Sequence, residues 1–273
     1  MISGNDEENS SNFCEVASSL LRSRQMLSKV PEVTIFFWII KVMATTVGET
    51  AADFLTFNLN FGLTLTTVIM SSFLLIALFF QFRSRKYVPG IYWLAVVMIS
   101  IVGTLITDNL VDNYGVALET TTIIFTFALV ATFAAWYANE KTLSIHSIYT
   151  TKREAFYWLV ILFTFALGTA AGDLTSEGLN VGYWKSALMF ATLIGIVTIA
   201  YYRFNLNSVA AFWMAYILTR PLGASIGDYL SQPLNAGGLA LSTMGINAVF
   251  LVTILSLVLY LTKTKKDESH IVE

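Results

Sequence analysis

The chain has 273 residues, 56% of them hydrophobic and 12% charged, with a formal net charge of -2 and mean hydropathy +0.67. A soluble domain carries about twice that charge, so the composition excludes one and fits a polytopic helical membrane protein. A single cysteine, Cys14, excludes a disulfide framework, and His146 and His270 lie outside the apolar runs, so no buried His/Cys zinc site is expected.

Residues 1–30 are polar and lack the hydrophobic core and cleavage site of a secretory signal, which makes them a cytoplasmic tail. Residues 13–28, with Phe13, Val16, Leu20, Leu21 and Leu27, could form a short surface-lying amphipathic helix. Eight apolar runs follow, at about 33–56, 61–82, 90–111, 116–138, 154–175, 183–203, 207–231 and 237–262. Each has the roughly twenty residues that span a bilayer. Pro31 and Pro89 sit just before the first and third helices. Pro221 lies within the seventh and is expected to kink it. A C-terminal tail occupies 263–273.

Basic residues set the orientation. Arg22, Arg24 and Lys29 precede the first helix, and Arg83, Arg85 and Lys86 follow the second. Lys141, Lys152 and Arg153 lie between the fourth and fifth, Arg203 follows the sixth, and Lys263, Lys265 and Lys266 follow the eighth. The opposite loops, 54–60, 109–115, 174–181 and 229–236, contain no Lys or Arg. The positive-inside rule then puts both termini in the cytoplasm.

The apolar runs repeat one phrase: an aromatic-Trp pair, Gly ten residues after the Trp, and Asp fifteen after it. The copies are Trp38-Gly48-Asp53, Trp93-Gly103-Asp108, Trp158-Gly168-Asp173 and Trp213-Gly223-Asp228, spaced 55, 65 and 55 residues apart. The all-α fold expected is therefore four parallel two-helix repeats (about 31–86, 87–141, 152–205 and 206–262), pseudo-symmetric about the membrane normal. The second helix of each hairpin opens on a glycine, Gly62, Gly115, Gly182 or Gly237, which fits a tight turn or a helix start.

At 100° per residue, positions seven, eleven and fifteen after the Trp share one helical face. They are Thr45, Glu49 and Asp53; Ser100, Thr104 and Asp108; Phe165, Thr169 and Asp173; and Arg220, Ala224 and Asp228. This polar stripe should face the bundle interior, because lipid cannot satisfy it. The glycines lie on another face and should let helices approach closely. Glu49 and Arg220 each occur in one repeat alone and could neutralise one another across the pseudo-axis. Lys41, a helical turn before Thr45, is expected to point inward in the same way; Lys185, near the outer end, could snorkel, and Glu119 adds a further charge. Two structural readings stand beside this one: the aspartates as helix caps or turn braces, and Glu49 with Arg220 as an ion pair that fixes registry. The Phe/Tyr-Trp pairs read as packing or interfacial anchors.

The runs Glu32-Val33-Thr34 with Trp38, Lys41, Thr45, Gly48, Glu49 and Asp53, then Ala166 to Asp173 and Tyr216 to Asp228, resemble a bacterial family of uncharacterised repeat-containing membrane-anchored proteins. The resemblance covers 31 to about 262 and implies a bacterial inner-membrane location, but no mechanism.

The function expected is transport of a hard divalent cation, manganese first and magnesium or calcium behind, by a secondary exporter that could exchange it for protons. Oxygen donors suit hard cations, and no Cys or His lies in the apolar runs. Glu49, Asp53, Asp108, Asp173 and Asp228 would face the metal, Thr45, Ser100, Thr104 and Thr169 would be neutral second ligands, and Arg220 would neutralise Glu49 in the empty state. The alternatives are a transporter of a small organic solute or anion held by Arg220 and Lys41, and a non-transporting scaffold or sensor. No catalytic constellation, phosphate loop or nucleic-acid patch is visible, so no enzyme, no cofactor and no nucleic-acid partner is expected; the partners are the metal, protons and the bilayer.

Overall fold

The computed structural model describes residues 28–268. The amphipathic segment expected over 13–28 falls, apart from Ser28, outside the described residues, as do residues 269–273 of the C-terminal tail. Eight α-helices follow one another: α1 Ile35–Asp53, α2 Leu63–Arg83, α3 Pro89–Asp108, α4 Leu118–Glu140, α5 Thr151–Asp173, α6 Tyr183–Phe204, α7 Ser208–Ser231 and α8 Thr243–Thr264. All eight are long and apolar enough to cross a membrane, and there is no strand among the described residues.

Local chemistry sets the helix ends. Thr34, Thr150 and Asn207 cap α1, α5 and α7 by accepting from backbone N–H groups of the first turn. Pro89 opens α3, where its missing N–H costs nothing. Lys141, Asn205 and Lys265 close α4, α6 and α8 in the left-handed conformation. Helix α7 runs unbroken through Pro221.

Three of the four hairpins contain an element with no sequence signature. Directly after Asp53, Asp108 and Asp173 the chain widens into one π-helical turn, Phe54–Asn58, Asn109–Asn113 and Leu174–Gly178. The fourth hairpin instead ends α7 at Ser231 and makes a short 3-10 turn, Leu234–Ala236. Gly237 there takes φ 88°, and Leu239 and Leu241 donate back to the carbonyls of Tyr229 and Leu230. The eighth helix therefore starts at Thr243, not near 237, because this loop satisfies its backbone against the end of α7.

The odd helices form a closed inner ring in which α1, α3, α5 and α7 each pack on two neighbours. The even helices lie outside it, and each crosses to the next repeat: α2 packs on α3, α4 on α5, α6 on α7, and α8 on α1. The repeated glycines explain how the ring closes. A Cβ on Gly48 would meet Ser100 Oγ at 1.8 Å, one on Gly103 would meet Phe165 Cβ at 2.5 Å, one on Gly168 Arg220 Cγ at 2.3 Å, and one on Gly223 Thr45 Oγ1 at 1.8 Å. Position ten of each repeat is thus a notch for position seven of the next, and the fourth repeat engages the first.

A second cyclic contact lies nearer the face that carries both chain ends, here the terminal face. Phe37 packs on Trp93 with ring centroids 5.5 Å apart, Tyr92 on Trp158 at 5.6 Å, Tyr157 on Trp213 at 6.2 Å and Phe212 on Trp38 at 5.8 Å. Tyr92 and Tyr157 share a hydrogen bond of 2.5 Å between their hydroxyls. The aromatic pairs thus build a packed layer inside the bundle.

The connections on the terminal face are tied together. Glu32 N–H donates to the Asp267 carbonyl at 2.9 Å, so the two ends of the described chain meet. Lys29, expected to act only as a topology signal, is buried: its Nζ lies 2.6 Å from Glu154 Oε2 and donates to the Phe82 carbonyl, while Gln81 donates to Glu154 Oε1. His146 Nδ1 lies 3.5 Å from Glu32 Oε1. The contact raises the imidazole above its ordinary value and lowers the carboxyl below its own, with burial opposing both.

Candidate functional site at the ring axis

Arg220 organises the centre of the ring. It is fully buried, and its Nη2 lies 2.9 Å from Glu49 Oε2. The same nitrogen donates to Thr104 Oγ1, and to Thr169 Oγ1 at 2.7 Å. Nη1 donates to the Thr45 carbonyl at 3.2 Å. One guanidinium on α7 thus binds groups from α1, α3 and α5, the three other helices of the inner ring. Removing either member of a buried pair of this kind leaves an uncompensated charge.

Position eleven meets the guanidinium in three repeats, as Glu49, Thr104 and Thr169. Position seven does not behave alike. The Thr45 hydroxyl donates to the carbonyls of Val42 and Thr219, in the seam between α1 and α7. Ser100 fills the notch at Gly48, and its hydroxyl has no hydrogen-bond partner. The threonine hydroxyls brought to the axis are therefore those of Thr104 and Thr169, and those of Thr45 and Ser100 face the seams.

Two basic side chains lie near the Phe165 ring. Lys41 Nζ is 3.8 Å from its ring centroid and 4.1 Å from that of Tyr216, and Arg220 Cζ is 5.5 Å from Phe165. Lys41 is fully buried, and its amine has no hydrogen-bond partner. Lys185 and Glu119 are exposed on the outer helices and take no part in this centre.

The aspartates lie at the opposite face. Asp53, Asp108 and Asp173 are the last residues of α1, α3 and α5, and none of them makes a side-chain cap bond to the π turn that follows. They do not brace those turns. The four positions also divide. Glu49, Asp173 and Asp228 each present a carboxylate oxygen, all within 4.8 Å of one another. Asp53 and Asp108 stand outside that trio. Three carboxylates at this spacing can place three oxygens around one cation. Glu49 links the trio to Arg220, since it belongs to both.

These features define an eight-helix membrane protein whose four hairpins close around a charged axis. The match to the family described as Repeat of Unknown Function (DUF347) falls on the same units, at residues 36–87, 91–142, 156–207 and 211–267. The chain belongs to this repeat family. No curated protein and no solved structure matches it.

Proposed function

We propose that the protein is a secondary transporter of a hard divalent cation, manganese before magnesium or calcium, exported across a bacterial cytoplasmic membrane in exchange for protons. The reading rests on one observation: the three carboxylates of Glu49, Asp173 and Asp228, brought within 4.8 Å of one another by three inner helices. An all-oxygen donor set suits hard cations and gives copper or zinc no preferred ligand. Arg220 serves as the tethered positive charge that holds Glu49 when no metal does. A carboxylate can trade a metal for a proton, which supplies the coupling.

The absence of Lys and Arg from the four loops beside the aspartates supports an orientation with both termini in the cytoplasm and the aspartates on the outer side. The aromatic layer closes the axis on the inner side, so transport proceeds by alternating access rather than through an open pore. A second reading, a small organic anion held by Arg220 and Lys41, is favoured by the Lys41 amine that has no hydrogen-bond partner. Flux into proteoliposomes decides. Manganese, magnesium, calcium and small carboxylates are tested with and without a pH gradient. Manganese movement driven by the gradient is expected. Carboxylate flux without metal flux selects the anion reading, and no flux of either leaves a scaffold or sensor.

A further inference from the structure

The repeat allows the outer helices to be compared position by position. The starts of α2, α4, α6 and α8 are Leu63, Leu118, Tyr183 and Thr243. Counted from those starts, Gln81, Trp136, Tyr201 and Leu261 are equivalent, and so are Leu78, Phe133, Thr198 and Val258. Each pair faces the seam between two inner helices. Gln81, Trp136 and Leu261 are 1%, 0% and 1% exposed, whereas Tyr201 is 41% exposed. Leu78, Phe133 and Val258 are partly or fully buried, whereas Thr198 is exposed.

The consequence is local. Phe133 and Trp136 of α4 cover Trp213 with ring centroids 5.1 and 5.9 Å away. Trp38, the equivalent of Trp213, receives no such cover from α6. A cleft of about 540 Å³ remains between α1, α6 and α7. Trp38, Val42, Val197, Phe212 and Leu222 give it apolar walls. Its deep end reaches Thr219, whose carbonyl accepts from Thr45 beside Arg220. Glu32 and His146 line it on the terminal face.

We propose that this cleft is a binding site for one phospholipid with a zwitterionic ammonium-phosphate headgroup. The acyl chain lies between α1, α6 and α7, and Glu32 and His146 engage the headgroup. Three observations lead to that occupant. The cleft lies among membrane-spanning helices, with the exposed side of α6 at its edge, so its filling comes sideways from the bilayer. Apolar side chains make up most of the lining, and an apolar seam left unfilled forfeits packing. The polar end carries one carboxylate, which accepts from an ammonium, and one imidazole, which donates to a phosphate. An anionic headgroup would meet Glu32 without an ammonium to offer it. Tyr201 and Tyr202, at the same end of α6, have the amphipathic rings found at headgroup depth.

The test is native mass spectrometry of the full-length protein in mild detergent, with phosphatidylethanolamine and phosphatidylglycerol added in equal amounts. One phosphatidylethanolamine retained per chain is expected. Thr198→Phe, which gives α6 the residue that α4 has at Phe133, should lower retention at least tenfold. Ile196→Phe, on the exposed side of α6 and outside the lining of the cleft, should leave it unchanged. Glu32→Ala should abolish the preference over phosphatidylglycerol, and it serves as the second variant if Thr198→Phe fails to fold. Wild-type retention in a folded Thr198→Phe variant overturns the site. Equal retention of the two lipids by the wild type, or unchanged selectivity in Glu32→Ala, overturns the headgroup assignment.

Discussion

The aromatic layer and the charged layer are built on the same four helices, about two to three turns apart, and the repeat treats them differently. In the aromatic layer Phe37, Tyr92, Tyr157 and Phe212 make the same contact with the next Trp in all four repeats. In the charged layer, position eleven is Glu49, Thr104, Thr169 and Ala224, and a single arginine faces the first three. Packing tolerates four-fold repetition because each contact needs only a complementary shape. Charge does not, because like groups around one axis repel and unlike ones must be matched in number. The difference separates the part of the ring that repeats from the part in which each repeat has its own residue.

Breaking the charged layer should have the largest effect. Glu49→Gln or Arg220→Gln should each cost about 3–5 kcal/mol, as expected for an orphaned buried charge. The double variant should recover much of that loss in thermal unfolding. Strictly additive losses would mean the two residues do not interact energetically. For flux, Asp173→Asn and Asp228→Asn should weaken manganese transport on the order of 10–100-fold, the scale seen even for outer-shell metal partners. Asp53→Asn and Asp108→Asn should weaken it less, since they lie outside the trio. Equal loss at all four positions would restore the symmetric ring of acids and count against the division.

Disturbing the packed layers should cost less. Gly48→Ala places a methyl 1.8 Å from Ser100 Oγ and should destabilise by about 1–3 kcal/mol. Gly90→Ala, where nothing lies within 4 Å, is the control and should be near neutral. Tyr92→Phe removes one buried hydroxyl contact and should cost about 0.5–1.5 kcal/mol. The smallest effect belongs to His146 and Glu32. Because the folded state raises the imidazole, its contribution is complete below the ordinary value of 6.5 and is lost as pH rises through the folded value. Because it lowers the carboxyl, that contribution is complete above 4.5 and is lost as pH falls through the folded value. The pair is partly exposed, so the gain in the window between should stay below about 1 kcal/mol. A His146→Ala variant should flatten that part of the pH–stability curve.

The repeat made the eight spans, the hairpin units and the close-approach role of the glycines legible, because Trp, Gly and Asp recur at fixed offsets on helices of known pitch. The Glu49–Arg220 contact was legible as two unmatched opposite charges on one stripe. Helical periodicity could not say which part of the stripe reaches the axis. Four helices in a ring divide each polar face into an axis side and a seam side, and Thr45 and Ser100 turn to the seam. The π turns after Asp53, Asp108 and Asp173 carry no residue signature. Burial of Lys29 depends on Glu154 and Gln81, 125 and 52 or more residues away in sequence, and no local pattern announces it.

The notch-and-knob closure of the ring has an implication for its origin. A single hairpin could in principle associate with three copies of itself, because every contact of the aromatic layer and every glycine notch would be satisfied by identical neighbours. Such a homotetramer would have to carry each residue four times. Four guanidiniums crowded on one axis against four glutamates would be a different centre, with no way to leave one arginine facing one acid and two hydroxyls. Joining the four hairpins in one polypeptide frees each quadrant to mutate alone. Four separately encoded copies of the repeat are thus the condition for the asymmetry of this centre, and the covalent links between hairpins fix which quadrant stands beside which.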